Sequence, residues 1–69
     1  MISYEPFYRT LQDKGITEYA LIYKQGVPSN TLYRMKRGKN ISTKTLDMLC
    51  FILDCPVSDV LEYIPDEEE

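Results

Sequence analysis

The chain contains no histidine and only two cysteines, Cys50 and Cys55. Two thiolates cannot complete a four-ligand zinc site, and Cys-x4-Cys is not a usual metal spacing. Neither a metal nor any other cofactor is expected. Without histidine, general acid–base chemistry would fall to carboxylates, lysine, tyrosine or cysteine. No motif arranges any of these around a nucleophile, so an enzyme is not expected. No apolar run approaches the ~20 residues that a membrane span needs. The opening Met1-Ile2-Ser3-Tyr4-Glu5 has neither a basic n-region nor an apolar h-region. The expectation is a soluble, unexported, cytoplasmic protein with no membrane partner. In that reducing setting the two thiols are expected to be small buried groups and not a disulfide. The sequon Asn40-Ile41-Ser42 would go unused there.

What is present fits one small domain. The 69 residues are 43% apolar and 28% charged, the composition of an ordinary globular chain. A chain of this length buries about 60% of its unfolded surface, enough for one core and too little for a cleft between lobes.

The net charge of −3 argues, taken alone, against a nucleic-acid partner. Its distribution argues the other way. Lys24, Arg34, Lys36, Arg37, Lys39 and Lys44 lie in a stretch without a single acid, a local charge of +6. The remainder sets Arg9 and Lys14 against all eleven acids, a charge of −9. A segment this one-sided is either an electrostatic footprint for a polyanion or a solvated basic loop.

Glycine, proline and asparagine punctuate a pattern of short helices. The spacing predicts a first helix over 5–14, with Pro6 in its first turn, apolar Phe7, Tyr8 and Leu11, and Gly15 past its end. Thr17 is a good N-cap for a second helix through Tyr23 or Lys24 that buries Leu21 with help from Ile22. Gly26 supplies a left-handed turn, with Val27 tucked beneath it. Pro28 and Ser29 open a third helix to about Arg37, closed by Gly38, with Leu32 and Met35 turned inward. At 100° per residue the opposite face carries Asn30, Tyr33, Arg34 and Arg37. An amide, a phenol and two guanidiniums on one solvent-facing stripe suit base edges and phosphates. Ser42 or Thr43 caps a fourth helix through Leu53 or Asp54, whose core stripe is Leu46, Leu49, Cys50 and Leu53. Met48 and Phe51 fall off that stripe, and are either packed against the N-terminal segment (Met1, Ile2, Tyr4) or exposed for a partner. After Pro56, Ser58 is expected to cap a fifth helix, with Val57, Val60, Leu61 and Ile64 on one face. Pro65 ends it, and residues 66–69 form an acidic, solvent-facing tail that could compete with a polyanion for the basic face. No β pattern and no internal repeat is visible. The expected fold is all-α, five helices over 1–65.

Two short helices joined by a tight glycine turn, the second with an exposed basic face, describe a helix-turn-helix. The stretch Ile16 to Lys39, with Gly26-Val27 at the turn and Ser29-Asn30-Thr31-Leu32-Tyr33-Arg34-Met35-Lys36-Arg37-Gly38-Lys39 after it, resembles the Cro/phage-repressor (XRE) superfamily. The stretch Ile41 to Cys55 is similar to that superfamily's fourth helix. Together with Asp59 to Pro65, the chain looks most like the minimal single-domain regulators of Gram-positive bacteria and their mobile elements. The resemblance implies a compact lambda-repressor-like five-helix domain whose third helix enters the major groove. It places Ser29, Asn30, Tyr33 and Arg34 at base edges, and Thr17, Arg37, Lys39 and Asn40 at the DNA backbone. Lys36 and Lys44 join these as general phosphate partners. Arg34 suits guanine O6 and N7, Asn30 suits adenine, and Tyr33 suits a phosphate or a thymine methyl. The chain departs from the family at Glu18, where relatives often carry a glutamine that bonds a phosphate. It departs also at Ile22, at Gln25, and at Pro28 in place of a capping side chain.

These readings lead to a sequence-specific double-stranded DNA-binding protein, a transcriptional repressor acting by occupancy, with no small-molecule effector in view. One small domain makes few contacts, so a homodimer is expected, with Met48 and Phe51 as the candidate patch. The rival reading is a protein-interaction module, antitoxin-like or a scaffold partner, on the same fold.

Overall fold

Pro6, Thr17, Ser29 and Ser42 stand at or beside the starts of four helices, and each helix runs as far as its capping chemistry allows. The computed structural model describes residues 1–66, so the tail expected at 66–69 lies, beyond Asp66, outside the described residues. The elements are β1 (Ile2–Ser3), α1 (Glu5–Lys14), α2 (Glu18–Tyr23), α3 (Ser29–Lys36), α4 (Thr43–Leu53), a single 3-10 turn (Val57–Asp59) and β2 (Glu62–Tyr63). Thr17 and Ser42 cap α2 and α4, their hydroxyls accepting the N–H groups of Ala20 at 3.0 Å and Thr45 at 3.1 Å. Pro28 precedes α3 in an extended conformation without a side-chain cap, as its chemistry requires.

Three helices end in the same way. In α1, α3 and α4 a left-handed residue follows the helix (Gly15, Gly38 and Asp54), and the next N–H bonds back to a carbonyl five residues earlier. These are Schellman caps, which bring the side chains at the two ends of that longer bond together. In α1 the pair is Leu11 and Ile16, an ordinary apolar contact. In α4 it is Cys50 and Cys55, and the left-handed residue, Asp54 at φ 53°, is not a glycine.

The core gathers Tyr4, Phe7 and Leu11 with Leu21, Val27, Leu32, Met35, Leu49, Leu53 and Val60, all buried. The face expected for each of the four helices is the face that packs, with Leu46 and Cys50 half-buried at its margin. Met48 and Phe51 part company: Met48 is half-buried against the core, whereas Phe51 is 85% exposed and does not pack on the N-terminal segment.

The all-α expectation holds, but the helix count of five does not. Residues 57–64 form the 3-10 turn and β2, and β2 pairs antiparallel with β1 in the register Ile2↔Tyr63 and Ser3↔Glu62. The physical reason lies in the partners of this segment's backbone. Thr10 donates its hydroxyl to the Asp59 carbonyl at 2.8 Å, the acceptor that a continuing helix would offer to Tyr63. Tyr63 pairs with Ile2 instead, and the Met1 carbonyl accepts the N–H of Ile64 at 2.7 Å. An eight-residue segment between prolines gains little from helix formation by itself. Ser58 caps nothing; Val60 is buried while Val57 and Ile64 are exposed, so the apolar spacing that suggested a helix anchors a turn.

Among the described residues, no helix is long and apolar enough to cross a membrane, and no three metal-ligating side chains come together.

Asp54 makes the α4 cap testable. A left-handed conformation strains any residue with a Cβ, though aspartate less than most. Asp54→Gly is expected to stabilise the fold by about 0.5–1 kcal/mol, measured by urea unfolding. A loss of stability would show that the Asp54 side chain contributes more to the cap than its strain costs.

Candidate nucleic-acid interface

The geometry of α3 follows from two buried side chains. Leu32 and Met35 are each 2% exposed, and their insertion turns Asn30, Tyr33 and Arg34 to solvent. Arg37, just past the last helical turn, continues the same face. Ser29, at the first position of α3, is exposed as well. The turn into α3 depends on Gly26, whose φ of 77° is open to glycine and costly for other residues. Val27, 1% exposed, donates its N–H to the Leu21 carbonyl at 2.9 Å and fixes the approach of α3 to α2.

The exposed face is pre-ordered by its own contacts. Arg34 donates from Nη2 to both the carbonyl oxygen and Oδ1 of Asn40, each at 3.1 Å. Arg37 donates to the Tyr33 hydroxyl at 3.2 Å, and its guanidinium lies 5.5 Å from the centre of the Tyr33 ring. The loop after α3 is held from beneath, because the buried Tyr4 donates its hydroxyl to the Lys39 carbonyl at 2.7 Å. Between α3 and the start of α4 lies a shallow depression of about 410 Å³, edged by Asn30, Thr31, Arg34, Asn40, Ser42 and Thr45. Lys39, Asn40 and Lys44 are exposed around it. Thr17 is exposed at the start of α2; its oxygen is engaged as a cap and its hydroxyl proton remains available to an acceptor.

Charge completes the description. Of the six cations between Lys24 and Lys44, only Lys36 meets an acid among the described residues, at 3.3 Å from Glu18. Three of the other five, Arg34, Arg37 and Lys39, lie on α3 or just past it without a carboxylate partner among the described residues, beside the Asn30 amide and the Tyr33 phenol.

The model of the Cro/C1-type HTH DNA-binding domain family matches residues 9–66. The chain belongs to this family. Its fold is similar to that in the crystal structure of the transcriptional regulator VanUg, with a TM-score of 0.82 and 26% identity over 94% of this chain and 87% of that one. No curated protein matches the sequence. A Cro/C1-type domain is a DNA-binding, non-enzymatic unit, and the basic face of α3 is the surface on which such a role would fall.

Within this Cro/C1-type domain, the departure at Glu18 acquires a partner. Its carboxylate, one-third exposed, accepts a hydrogen bond from the Lys36 ammonium across the α2–α3 junction. Burial pushes the Tyr8 phenol up from its ordinary value, and the Glu18 charge adds to that rise. Lys36, expected at a phosphate, thus has an acid at hand and competes for it. Sequence reasoning missed this pair, the Arg34–Asn40 brace and the Arg37–Tyr33 stack. The last has the i, i+4 spacing that could have revealed it. It also missed the exposed Tyr19 and Tyr23, whose rings lie 4.6 Å apart at the same spacing.

A double-mutant cycle of Glu18→Gln and Lys36→Met, read by urea unfolding, is expected to give a coupling of about 0.2–1 kcal/mol at low salt. The coupling should shrink as salt is added. An additive cycle at low salt would mean that the pair does not form.

Proposed function

We propose that the protein is a sequence-specific transcriptional repressor that docks α3 in the major groove and binds its operator as a homodimer in the bacterial cytoplasm. One observation carries this reading: the face of α3 opposite Leu32 and Met35 displays Asn30, Tyr33, Arg34 and Arg37, and neither guanidinium meets an acid among the described residues. Ser29, Asn30, Tyr33 and Arg34 read base edges. Thr17, Arg37, Lys39, Asn40 and Lys44 contact the backbone, with Lys36 contributing as Glu18 releases it. A bidentate guanine contact uses Nη2 together with Nη1 or Nε, so Arg34 exchanges at least one Asn40 bond for the base. The likeness to a transcriptional regulator supports a regulatory role. A DNA-binding domain of this kind represses by occupying the site that polymerase needs.

The decisive experiment is selection of randomised duplex DNA by the purified protein at about 150 mM salt, where purely electrostatic binding is weak. An enriched inverted repeat with half-sites about 34 Å apart is expected. On that operator, Asn30→Ala with Arg34→Ala should abolish specific binding, at about 1–3 kcal/mol for each lost base contact. Stability should change by no more than about 1 kcal/mol, since both residues are exposed and Arg34 gives up only its Asn40 bonds. No enrichment would overturn the regulator reading in favour of a protein-interaction module.

Phe51, the most exposed large apolar side chain among the described residues, is the proposed centre of the dimer interface, with Met48 at its edge. Phe51→Glu is expected to turn a sedimenting dimer into a monomer while the thermal midpoint stays within a few degrees. An unchanged sedimentation coefficient would remove Phe51 from the interface.

A further inference from the structure

The C-terminal cap of α4 holds a pair of thiols that the DNA-binding reading leaves unused. The Asp54 N–H donates to the Phe51 carbonyl at 3.3 Å and the Cys55 N–H to the Cys50 carbonyl at 3.1 Å, which together define the Schellman cap. This geometry turns the side chains of residues 50 and 55 toward each other, and the Cys55 thiol lies within hydrogen-bonding reach of the Cys50 thiol. At the end of α1 the same two positions hold Leu11 and Ile16, which simply pack. At the end of α4 they hold two free cysteines, both half-buried and therefore neither sealed in the core nor fully open. The spacing that serves no common metal site is the spacing that this cap turns into a facing pair.

We propose that Cys50 and Cys55 form a reversible dithiol–disulfide couple that closes within one chain across the α4 cap, with a hydroperoxide as the oxidant. One thiolate sulfur attacks the distal peroxide oxygen; the O–O bond breaks, an alkoxide leaves, and the sulfur becomes a sulfenic acid. The second thiolate attacks that sulfur, forming the S–S bond and expelling hydroxide. The two thiol protons neutralise alkoxide and hydroxide, so the sulfurs together lose two electrons and the hydroperoxide leaves as an alcohol and water. With hydrogen peroxide both products are water.

The surroundings set how readily this occurs. Cys55 faces Cys50 on α4, Asp59 on the 3-10 turn and Lys14 on α1. Burial pushes its thiol up; Cys50 and Asp59 push the same way, and Lys14 opposes them. Cys55 therefore rests as a thiol near neutral pH and becomes more reactive as pH rises. Closure would add a covalent link to a cap that now holds a non-glycine residue at φ 53°, immediately before the turn that Thr10 fastens to α1.

The test is treatment of the reduced full chain with hydrogen peroxide, followed by intact mass, thiol titration and peptide mapping. The expected result is loss of both thiols together, a mass lower by two hydrogen atoms, a Cys50–Cys55 cross-linked peptide, and full recovery with dithiothreitol. Cys50→Ser and Cys55→Ser, treated alike, should instead gain oxygen on the remaining sulfur. Three results would overturn the proposal: oxygen added to one cysteine of the unaltered chain while the other stays free, disulfides between copies, or both thiols surviving peroxide that oxidises the single variants.

Discussion

Everything exposed on α3 depends on two side chains that are not. A helix of eight residues is too short to persist in water by itself, so its existence and its rotation come from what it buries. Leu32 and Met35 supply that burial, in one core with Leu21, Val27 and the buried side chains of α1 and α4. With inward positions separated by one turn, the opposite face is determined to within a fraction of a residue. A polar side chain on that face needs no special device to point outward. The exposed polar chemistry and the packing chemistry are thus two readings of one helical period.

The elements that were legible in the sequence are those whose causes are local. Thr17 and Ser42 mark helix starts because a hydroxyl at that position takes up an otherwise unpaired N–H. Gly15, Gly26 and Gly38 mark reversals because all three sit at positive φ. The last segment was misread for the converse reason. Val57, Val60, Leu61 and Ile64 have a spacing that fits a helix, but the choice was made by partners far along the chain: Thr10 for the Asp59 carbonyl and Ile2 for Tyr63. Strands of two residues carry no alternation from which to be recognised.

The same division holds at the interface. Which residues α3 exposes was readable from its period, and so was the i, i+4 pairing of Tyr33 with Arg37; the contacts made across elements were not. The Glu18–Lys36 pair joins residues 18 apart, and the Tyr4–Lys39 bond joins residues 35 apart. Neither separation is a local i, i+3 or i, i+4 spacing, and both contacts exist only because the core first brings separate elements together. A carboxylate in the second helix read in isolation is simply a liability next to DNA. Beside Lys36 it becomes part of the joint between the two helices, and it takes up one of the cations expected at a phosphate.

Charge separation also changes what the net charge means for DNA. A chain of net charge −3 whose Lys24–Lys44 stretch holds six cations and no acid separates its charges along the sequence, and five of those cations meet no acid among the described residues. Such a molecule gains less from random contact with phosphates than a uniformly basic one of the same size, because most orientations are unfavourable. On the proposed reading the non-specific term falls more than the specific one, since the α3 face combines positive charge with groups able to discriminate base edges. For a domain too small to make many contacts, lowering the affinity for the wrong sequence raises the ratio between right and wrong as effectively as adding a contact to the right one.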